Sequence, residues 1–439
     1  DAWARFDPRF VRPLMLGGVQ DSGNAFLLES AVFVDEGVVL FGRAAMARAD
    51  ALTHQKRMAL RSFKTLLGVS DLDRALNTNA PNSIDPHRIF QMRDLVVMYL
   101  AYLLSAVDAA AAYDELVSKA TEVEWRYAAP AWRSGDSAGM HPAIVRLFGE
   151  ADAFRHAVGD EILNPEGVPI DLIRELLPKA QAKPEAFEMG LIYEATAAAT
   201  YSSIGLPDSA SHMIVVDMGA GTTDIAALVR SRGRLTELDG ARLTLKQAGD
   251  FIDRTIANVV LDMSRWAKTP AQKTDLWDAL MRNMRDIKEN VFAEGSATLR
   301  HEGRVIRVSM RDLEKDRDFK TFMKALSEAY EQGLMAARDS AEARGAVEIQ
   351  AVAVGGGAAA PFIKNLIRTQ PRKVRARVTP RPATPDWAHG RAFHGNLAPV
   401  FPQLAIAIGG ALAPTEMLAA EGGFSPPASG RSDTRSVRD

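Results

Sequence analysis

The ten residues VVDMGAGTTD, positions 215–224, join the end of an apolar strand pattern to a turn rich in glycine, threonine and aspartate. Glycine lets a backbone approach an anion closely and point successive N–H groups at it, and threonine hydroxyls add donors. A carboxylate at the end of a strand, here Asp217 or Asp224, suits a hydrated Mg²⁺. The stretch therefore predicts a loop that binds phosphate and metal. The alternative is a tight polar hairpin turn, because the same residue types favour turns.

Length and composition restrict the class of protein. With 439 residues and 47% hydrophobic content, the chain can bury a large core and is predicted to form two domains. A formal charge of -2 provides no basic field that would favour nucleic acid. Because there is no cysteine, disulfides, thiol catalysis and cysteine-ligated zinc are excluded, and a reducing cytoplasm is the expected compartment.

The longest apolar run, residues 95–107, is shorter than the roughly 18 residues that a membrane-spanning helix needs. It predicts a buried helix. No secretory signal pattern opens the chain, so no membrane segment is expected.

Strand and helix patterns alternate along the chain, which predicts a mixed α/β fold. Strands are expected on both sides of the opening motif, and a third strand over residues 234–245. Residues 142–199 have a helical pattern with loops. Thr269 and Pro270 predict the start of a helix whose apolar face continues to position 291.

Three segments resemble, in the same order, motifs of the actin and heat-shock-seventy ATPase superfamily. VVDMGAGTTDIAAL, residues 215–228, resembles its second phosphate loop. YEATAAATYSSIGLP, residues 193–207, is similar to the connecting segment that precedes this loop. AVAVGGGAAAPFI, residues 351–363, resembles the adenosine loop, with a strand, paired glycines and a helix led by proline.

Shorter matches are similar to the DnaK-type branch and extend the resemblance over about residues 25–420. They are FKTLLG (63–68), AAPAW (128–132), QAGDFID (247–253), RDIKENVF (285–292) and FPQLAIAIGGAL (401–412). The resemblance implies an α/β fold of two actin-like, ribonuclease-H-like lobes with a nucleotide cleft between them.

The resemblance also implies domain boundaries. Residues 1–207 would form the first lobe, without its first strand and first phosphate loop. Residues 208–390 would form the second lobe with an inserted helical and hairpin subdomain, and residues 391–420 a connecting helix that returns to the first lobe. Residues 421–439 have almost no apolar content and are expected to be a disordered tail.

A site for ATP or ADP with Mg²⁺ is implied as well, in which catalysis is positioning plus charge stabilisation. Asp217 and Glu194 would act on the metal or on its water shell. The implied catalytic residues are Lys64, Glu194, Asp217 and Thr222. The implied phosphate contacts are Gly219, Ala220, Gly221, Thr222 and Thr223. The implied nucleoside and ribose contacts are Gly249, Lys288, Gly355, Gly356 and Gly357.

Several of these residues also have an ordinary structural explanation. Lys64 on its own would be a solvated helix residue. Glu194 would be a carboxylate at a helix start, and Gly355 would simply end a strand. The resemblance, not the single residues, favours the functional interpretation.

Among the departures of the chain from the superfamily pattern, three bear most on function. The first phosphate loop, an Asp-x-Gly-Thr-Thr hairpin, is not found; LGGVQDSGN, residues 16–24, has no threonine and predicts a hairpin turn between strands. That loop was either cut off before Asp1 or lost. Ala359 stands where the chaperones carry an arginine that stacks on adenine, which leaves base specificity open. Residues 418–439 contain no peptide-binding domain, so chaperone activity is not expected from the resemblance alone.

Three functions stay open. The leading one is a cytoplasmic DnaK-like protein that binds ATP with Mg²⁺, hydrolyses it slowly and switches between open and closed lobes, with a possible protein client or co-chaperone. The second is an actin-like filament protein of the MreB type, and the third is a non-catalytic module with a decayed site. No nucleic-acid partner is expected, because the basic segment 364–381 lacks interleaved aromatic residues.

Overall fold

The computed structural model describes residues 11–17, 25–61, 63–69, 71–115, 117–120, 123–129, 137–203, 212–231, 234–238, 240–345, 348–371, 374, 376–382, 384–389 and 397–412. Within them the protein is mixed α/β with several sheets, as predicted. The expectations for the turn at 18–24, for the ends of two motifs at 130–132 and 204–207, and for the tail lie outside the described residues.

The secondary structure elements are named here in chain order. The strands are β1 (Val32–Val34), β2 (Val38–Phe41), β3 (Trp125–Ala129), β4 (Val168–Pro169), β5 (Met189–Tyr193), β6 (His212–Met218), β7 (Thr223–Ser231), β8 (Arg234–Glu237), β9 (Leu243–Leu245), β10 (Ser296–His301), β11 (Arg304–Ser309), β12 (Glu348–Val354) and β13 (Arg377–Pro380). The α-helices are α1 (Gly42–Ala51), α2 (Phe63–Leu67), α3 (Leu72–Leu76), α4 (Met92–Tyr113), α5 (Ser137–Val158), α6 (Ile170–Ala182), α7 (Glu194–Ser203), α8 (Gly249–Met263), α9 (Pro270–Arg282), α10 (Met284–Glu294), α11 (Met310–Lys315), α12 (Arg317–Ala343), α13 (Pro361–Arg368) and α14 (Phe401–Leu412).

The largest sheet among the described residues has the strand order β13-β12-β6-β7-β8, with β9 alongside β7. Strand β6 pairs antiparallel with β7 and parallel with β12. The opening motif is the end of β6, the turn 219–222 and the start of β7, so the two strands predicted around it are confirmed. This pairing places Asp217 directly opposite Asp224, and Val354 at the end of β12 beside Asp217.

Strand β6 is buried along its whole length, because its alternating side chains enter two separate cores. Ile214 and Val216 pack with residues of α8, α12 and α13. Met213 and Val215 pack on the other face with residues of α7 and α14. A strand covered on both faces is apolar throughout. Asp217 has the same parity as Met213 and Val215, so its carboxylate lies on the side of α7 and α14.

Helices α7 and α14 cross at short range because α14 has a glycine at the crossing point. A Cβ on Gly409 would lie 1.9 Å from the carbonyl oxygen of Ala197, so no larger side chain fits there. Arg126 of β3 donates a 2.9 Å hydrogen bond to the carbonyl of Gly410, in the last turn of α14, where carbonyls lack partners within the helix. The small residues of both helices therefore have a packing role.

A separate core lies within residues 32–193 and joins β1 and β2 to helices α2 to α6. Strands β1, β2 and β4 form one sheet, and β3 pairs parallel with β5. Helix α4 is long and apolar enough to cross a membrane by length and composition. Its residues 95–101 are buried in this core, which confirms the predicted buried helix there, whereas most of residues 102–107 are half-buried.

Three details of the predicted secondary structure are wrong. Strand β5 lies inside the segment 142–199, which was expected to hold only helices and loops, and it is stabilised by pairing with the distant β3. The strand expected over residues 234–245 is two strands, β8 and β9, because Gly240 turns the chain with a φ of 71°. The helix that begins after Thr269 ends at Arg282, and α10 restarts after Asn283.

The pH dependence of stability should include a contribution from His212, the first residue of β6. It is fully buried, with Nε2 3.1 Å from Ser340 Oγ, and burial, assisted by Arg344, lowers the pKa of His212 from 6.5 to about 4. In that range the unfolded chain binds a proton that the folded protein excludes, so stability should fall as the pH drops. Urea unfolding should show a smaller loss from about pH 7 to about pH 5 in His212→Leu than in the wild type. An equal loss in both proteins would contradict this assignment.

Candidate metal and phosphate site

Three carboxylates meet beside the turn between β6 and β7. Glu194, Asp217 and Asp224 each offer one oxygen, and these oxygens all lie within 4.8 Å of one another. Asp217 is buried, whereas Glu194 and Asp224 are half-buried. Glu194 and Asp217 are the two predicted metal-binding residues, and the structure brings them together. Asp224, the second carboxylate of the opening motif that suits a metal, joins them, although it was not among the two residues assigned to the metal.

Each carboxylate is placed by a different element. Asp217 is near the end of β6 and Asp224 near the start of β7, and the antiparallel register makes them direct neighbours. Like charges directly opposite each other in such a pair are destabilising. Glu194 is the first residue of α7, immediately after β5, where a carboxylate interacts favourably with the helix dipole.

Two threonine hydroxyls fix the orientation of Asp224. Thr222 Oγ1 donates to Asp224 Oδ2 at 2.9 Å, and Thr244 Oγ1 donates to Oδ1 at 2.6 Å. Thr222 was expected to contact phosphate, but in this structure its hydroxyl is used by the carboxylate. Thr223 is buried, and its hydroxyl donates to the carbonyl of Gln247 at 2.8 Å. The threonines of the motif therefore build the site rather than present free hydroxyls.

The first turn of α8 holds the glycine-rich turn in place. The N–H of Gly249 donates to the carbonyl of Gly219 at 3.1 Å. The N–H of Asp250 donates to the carbonyl of Ala220 at 2.8 Å. A Cβ on Gly249 would come within 3.2 Å of the Gly219 oxygen, so glycine permits this approach. Gly249, expected on the ribose side, thus supports the loop, while Ala220 is exposed and Gly221 half-buried.

The expected nucleoside loop begins directly against Asp217. Gly355 has a φ of 79°, and a Cβ there would lie 2.4 Å from Asp217 Oδ1 and 2.6 Å from the carbonyl oxygen of Met218. The positive φ and the close approach of these two oxygens each require glycine at this position. The N–H of Gly355 donates to the carbonyl of Pro402 in α14 at 2.9 Å. The residue that follows β12, Gly355, therefore lies between the Asp217 carboxylate and α14.

The next residues complete a strand, turn and helix, as the sequence predicted. A Cβ on Gly356 would lie 3.8 Å from Gln403 Nε2, and one on Gly357 would lie 2.5 Å from the Met218 side chain. A short 3-10 turn, Gly356–Ala359, leads to α13. Ala359, which stands where a stacking arginine was expected, is exposed.

Of the two lysines of the predicted site, the structure describes the side chain of Lys288 but not that of Lys64. Lys288 Nζ lies 2.7 Å from Asp253 Oδ1 on α8. Burial raises the pKa of Asp253, and the charges of Lys288 and Arg61 oppose the rise. Arg61, which precedes α2, is near enough to Asp253 for its charge to act on that carboxyl. Lys64 belongs to α2, and its side chain lies outside the described part of the protein.

A fourth carboxylate, Glu237, was missed by sequence reasoning. It is buried, and Arg242 Nε donates to its Oε2 at 2.7 Å. Thr196 Oγ1 donates to the other oxygen at 3.3 Å, and Arg242 Cζ lies 4.4 Å from the centroid of the Tyr193 ring. Burial raises the pKa of Glu237, which Arg242 partly opposes. In the sequence, Glu237 and Arg242 are two opposite charges in a turn-rich segment, and this pattern does not predict such a network.

A small cavity joins these groups, and its chemistry suits a cation. It is lined by Glu194, Asp217, Asp224, Glu237 and Arg242 among others. Its volume of about 20 Å³ holds roughly one water or ion, not a nucleotide. The three grouped ligand atoms are all carboxylate oxygens, the donors that Mg²⁺, Ca²⁺ and Mn²⁺ prefer. The residues therefore fit a hard divalent cation.

A scan against protein-family models and a search of curated proteins both find no match for this chain. The functional inference therefore depends on the geometry of the site and on the sequence resemblance.

Gly355→Ala should destabilise the protein more than Gly240→Ala. Both glycines have a positive φ, 79° and 71°, and Gly355, with a ψ of 174°, lies in a region that is nearly restricted to glycine and costs other residues about 1–3 kcal/mol. Only at Gly355 would the new Cβ also overlap Asp217 and Met218, because nothing lies within 4 Å of a Cβ at Gly240. Denaturant unfolding should therefore give the larger loss of unfolding free energy at Gly355. Equal losses would show that the close approach to Asp217 is absent.

Proposed function

We propose that this protein is a DnaK-like nucleotide-binding protein that binds ATP with Mg²⁺ and hydrolyses it slowly. The observation that carries the proposal is the grouping of Glu194, Asp217 and Asp224 beside a glycine-rich turn. These residues come from two of the three segments that resemble the heat-shock-seventy ATPases. The third segment contributes Gly355, which lies against Asp217. Convergence of three separate motifs in one place supports a functional site over three unrelated turns.

The proposed architecture is two actin-like, ribonuclease-H-like lobes that enclose the nucleotide cleft. Separate cores, one within residues 32–193 and one around the large sheet, support two lobes. The strand order supports an actin-like second lobe, since three antiparallel strands continue into two parallel strands on the far side of β6. On this proposal the lobes divide near residue 207, the second lobe reaches residue 390, and α14 belongs to the connecting helix.

The proposed metal is Mg²⁺, held by Asp217, Asp224 and Glu194. Without a cation, three carboxylates at this spacing would repel the like-charged phosphates of a nucleotide. When bound, the metal would supply charge neutralisation and stabilise the charge that develops on the phosphate oxygens. Nucleotide binding is therefore expected to depend strictly on a divalent cation.

Groups of the chain itself would position the nucleotide. The N–H of Gly219 donates to the carbonyl of Thr222 at 3.0 Å, and the N–H groups of residues 220–222 are proposed to face the anion. The shape of this turn is set by hydrogen bonds from α8, so it is preorganised. Lys64 is proposed to neutralise the transferred phosphoryl group. Lys288 and residues 355–357 are proposed to face the ribose and nucleoside. Because Ala359 supplies no stacking cation, adenine would lose about 0.5–2 kcal/mol of binding, and discrimination between bases should be weak.

The proposed biological role is a switch in which nucleotide closes the lobes. A protein client or co-chaperone would be its partner, and the cytoplasm its compartment. The competing functions are an actin-like filament and a non-catalytic module. Each predicts a different response to nucleotide from that of a switch. A filament would assemble with ATP, and a decayed site would bind no nucleotide.

Asp217→Asn should weaken binding of ATP in Mg²⁺ by at least about tenfold, because a neutral amide replaces a metal-facing carboxylate of the same shape. Asp224→Asn should also weaken the binding of ATP in Mg²⁺, since Asp224 belongs to the same group of carboxylates. Calorimetric titration of the protein with ATP, in Mg²⁺ and in EDTA, measures the effect. Asp262→Asn, the same change at an exposed position of α8, is the matched control and should leave the affinity unchanged.

The outcomes of this titration separate the three functions. Unchanged affinity and turnover in Asp217→Asn would contradict the metal role. A wild-type protein that binds no ATP would favour the non-catalytic module. Sedimentation of the same samples tests the filament, because ATP-dependent pelleting would be inconsistent with a chaperone-like switch.

A further inference from the structure

We propose that Tyr193, Arg242 and Glu237 form a positioning clamp that fixes Glu194 relative to Asp217 and Asp224. The inference rests on the proposed metal site. None of the three clamp residues is grouped with the metal-binding oxygens, yet all three line the same cavity. They are therefore placed to support the ligands rather than to act as ligands.

The clamp contacts the chain on both sides of Glu194, at the end of β5 and in the first turn of α7. Tyr193 immediately precedes Glu194, and the Arg242 guanidinium stands over its ring at 4.4 Å. Thr196, two residues after Glu194, donates to Glu237 Oε1 at 3.3 Å. The start of α7 is thus attached to β8 and to the connection between β8 and β9.

The other end of the clamp is attached to the strands that hold Asp224. Glu237 ends β8 and lies opposite Leu228 of β7, the strand that carries Asp224. Arg242 directly precedes β9, which carries Thr244, a hydrogen-bond donor to Asp224. The same strands position both Asp224 and the clamp. The clamp therefore fixes Glu194 relative to the sheet and to Asp224.

The contacts of the clamp depend on geometry as well as on charge. Arg242 reaches Glu237 through Nε and Nη2, while its planar face covers Tyr193. Lysine carries the same charge but provides neither the forked N–H donors nor the planar face of a guanidinium group. A buried carboxylate such as Glu237 also requires a partner, since an unpaired buried charge is strongly destabilising. Arg242→Lys therefore separates the geometry from the charge.

A purely electrostatic role for Arg242 makes the opposite prediction. A positive charge beside three carboxylates opposes a cation, so removal of this charge would raise metal affinity. Positioning predicts a loss of affinity instead. Tyr193→Leu discriminates further, because it removes the stacked ring and changes no charge at neutral pH.

The test is binding of Mn²⁺ alone to the whole protein, measured by calorimetry or by the electron paramagnetic resonance of free Mn²⁺. Arg242→Lys and Tyr193→Leu should each bind Mn²⁺ about tenfold more weakly than the wild type, as for other residues that support metal ligands. Tyr193→Phe keeps the stacked ring and loses only the hydroxyl that hydrogen-bonds with Arg242, so its loss of affinity should be smaller than that of Tyr193→Leu. Arg285→Lys, at the exposed pair with Glu289, is the matched control. Hydrogen exchange in residues 194–203 should rise in the two clamp variants.

The outcomes distinguish the clamp from the metal site. A wild type that binds Mn²⁺, with unchanged affinity in Arg242→Lys and Tyr193→Leu, would overturn the clamp and leave the metal site standing. A wild type that binds no Mn²⁺ would overturn the metal site and the clamp together. Thermal unfolding shows whether each variant is folded, and if Tyr193→Leu is not, Arg242→Lys alone decides.

Discussion

Two aspartates that face each other across an antiparallel strand pair are the most demanding interaction in this molecule. The register of β6 and β7 places Asp217 opposite Asp224, and Glu194 brings a third carboxylate within 4.8 Å of both. Such like charges repel. The strands cannot relieve this repulsion by slipping one residue, because all seven residues of β6 are buried and a slip would exchange its two faces. The fold therefore keeps three carboxylates together at a place where a bound cation would offset their mutual repulsion.

The elements around this cluster are arranged so that it cannot relax. Hydrogen bonds from the first turn of α8 fix the glycine-rich turn, and Gly355 closes against Asp217 with no room for a side chain. Thr222 and Thr244 hold Asp224 from two sides. A rigid group of oxygens is what a metal site requires, since a ligand set that must reorganise binds its ion more weakly. The packing of small residues is thus directly connected to the proposed chemistry.

Local signals predicted part of this structure. The β6–β7 turn, the strand and turn at Gly355, and the helix cap at Thr269, which accepts from the Gln272 N–H, depend on residues close in sequence. Strand β5 and the link between Glu237 and α7 depend on partners far along the chain, and no local pattern encodes them. The hydroxyl of Thr223 could not be assigned because its direction depends on which face of β7 is buried. The grouping of Glu194 with Asp217 followed from the resemblance. The motif already offered Asp224 as a carboxylate that suits a metal, and the strand register shows that it lies directly opposite Asp217.

The most direct measurement is an experimental structure of the protein with Mn²⁺ and a non-hydrolysable ATP analogue, using the anomalous scattering of the metal. The account predicts one anomalous peak in contact with Glu194, Asp217 or Asp224, directly or through its waters, and phosphate oxygens beside the turn 219–222. A nucleotide bound elsewhere, or a metal peak distant from all three carboxylates, would contradict it.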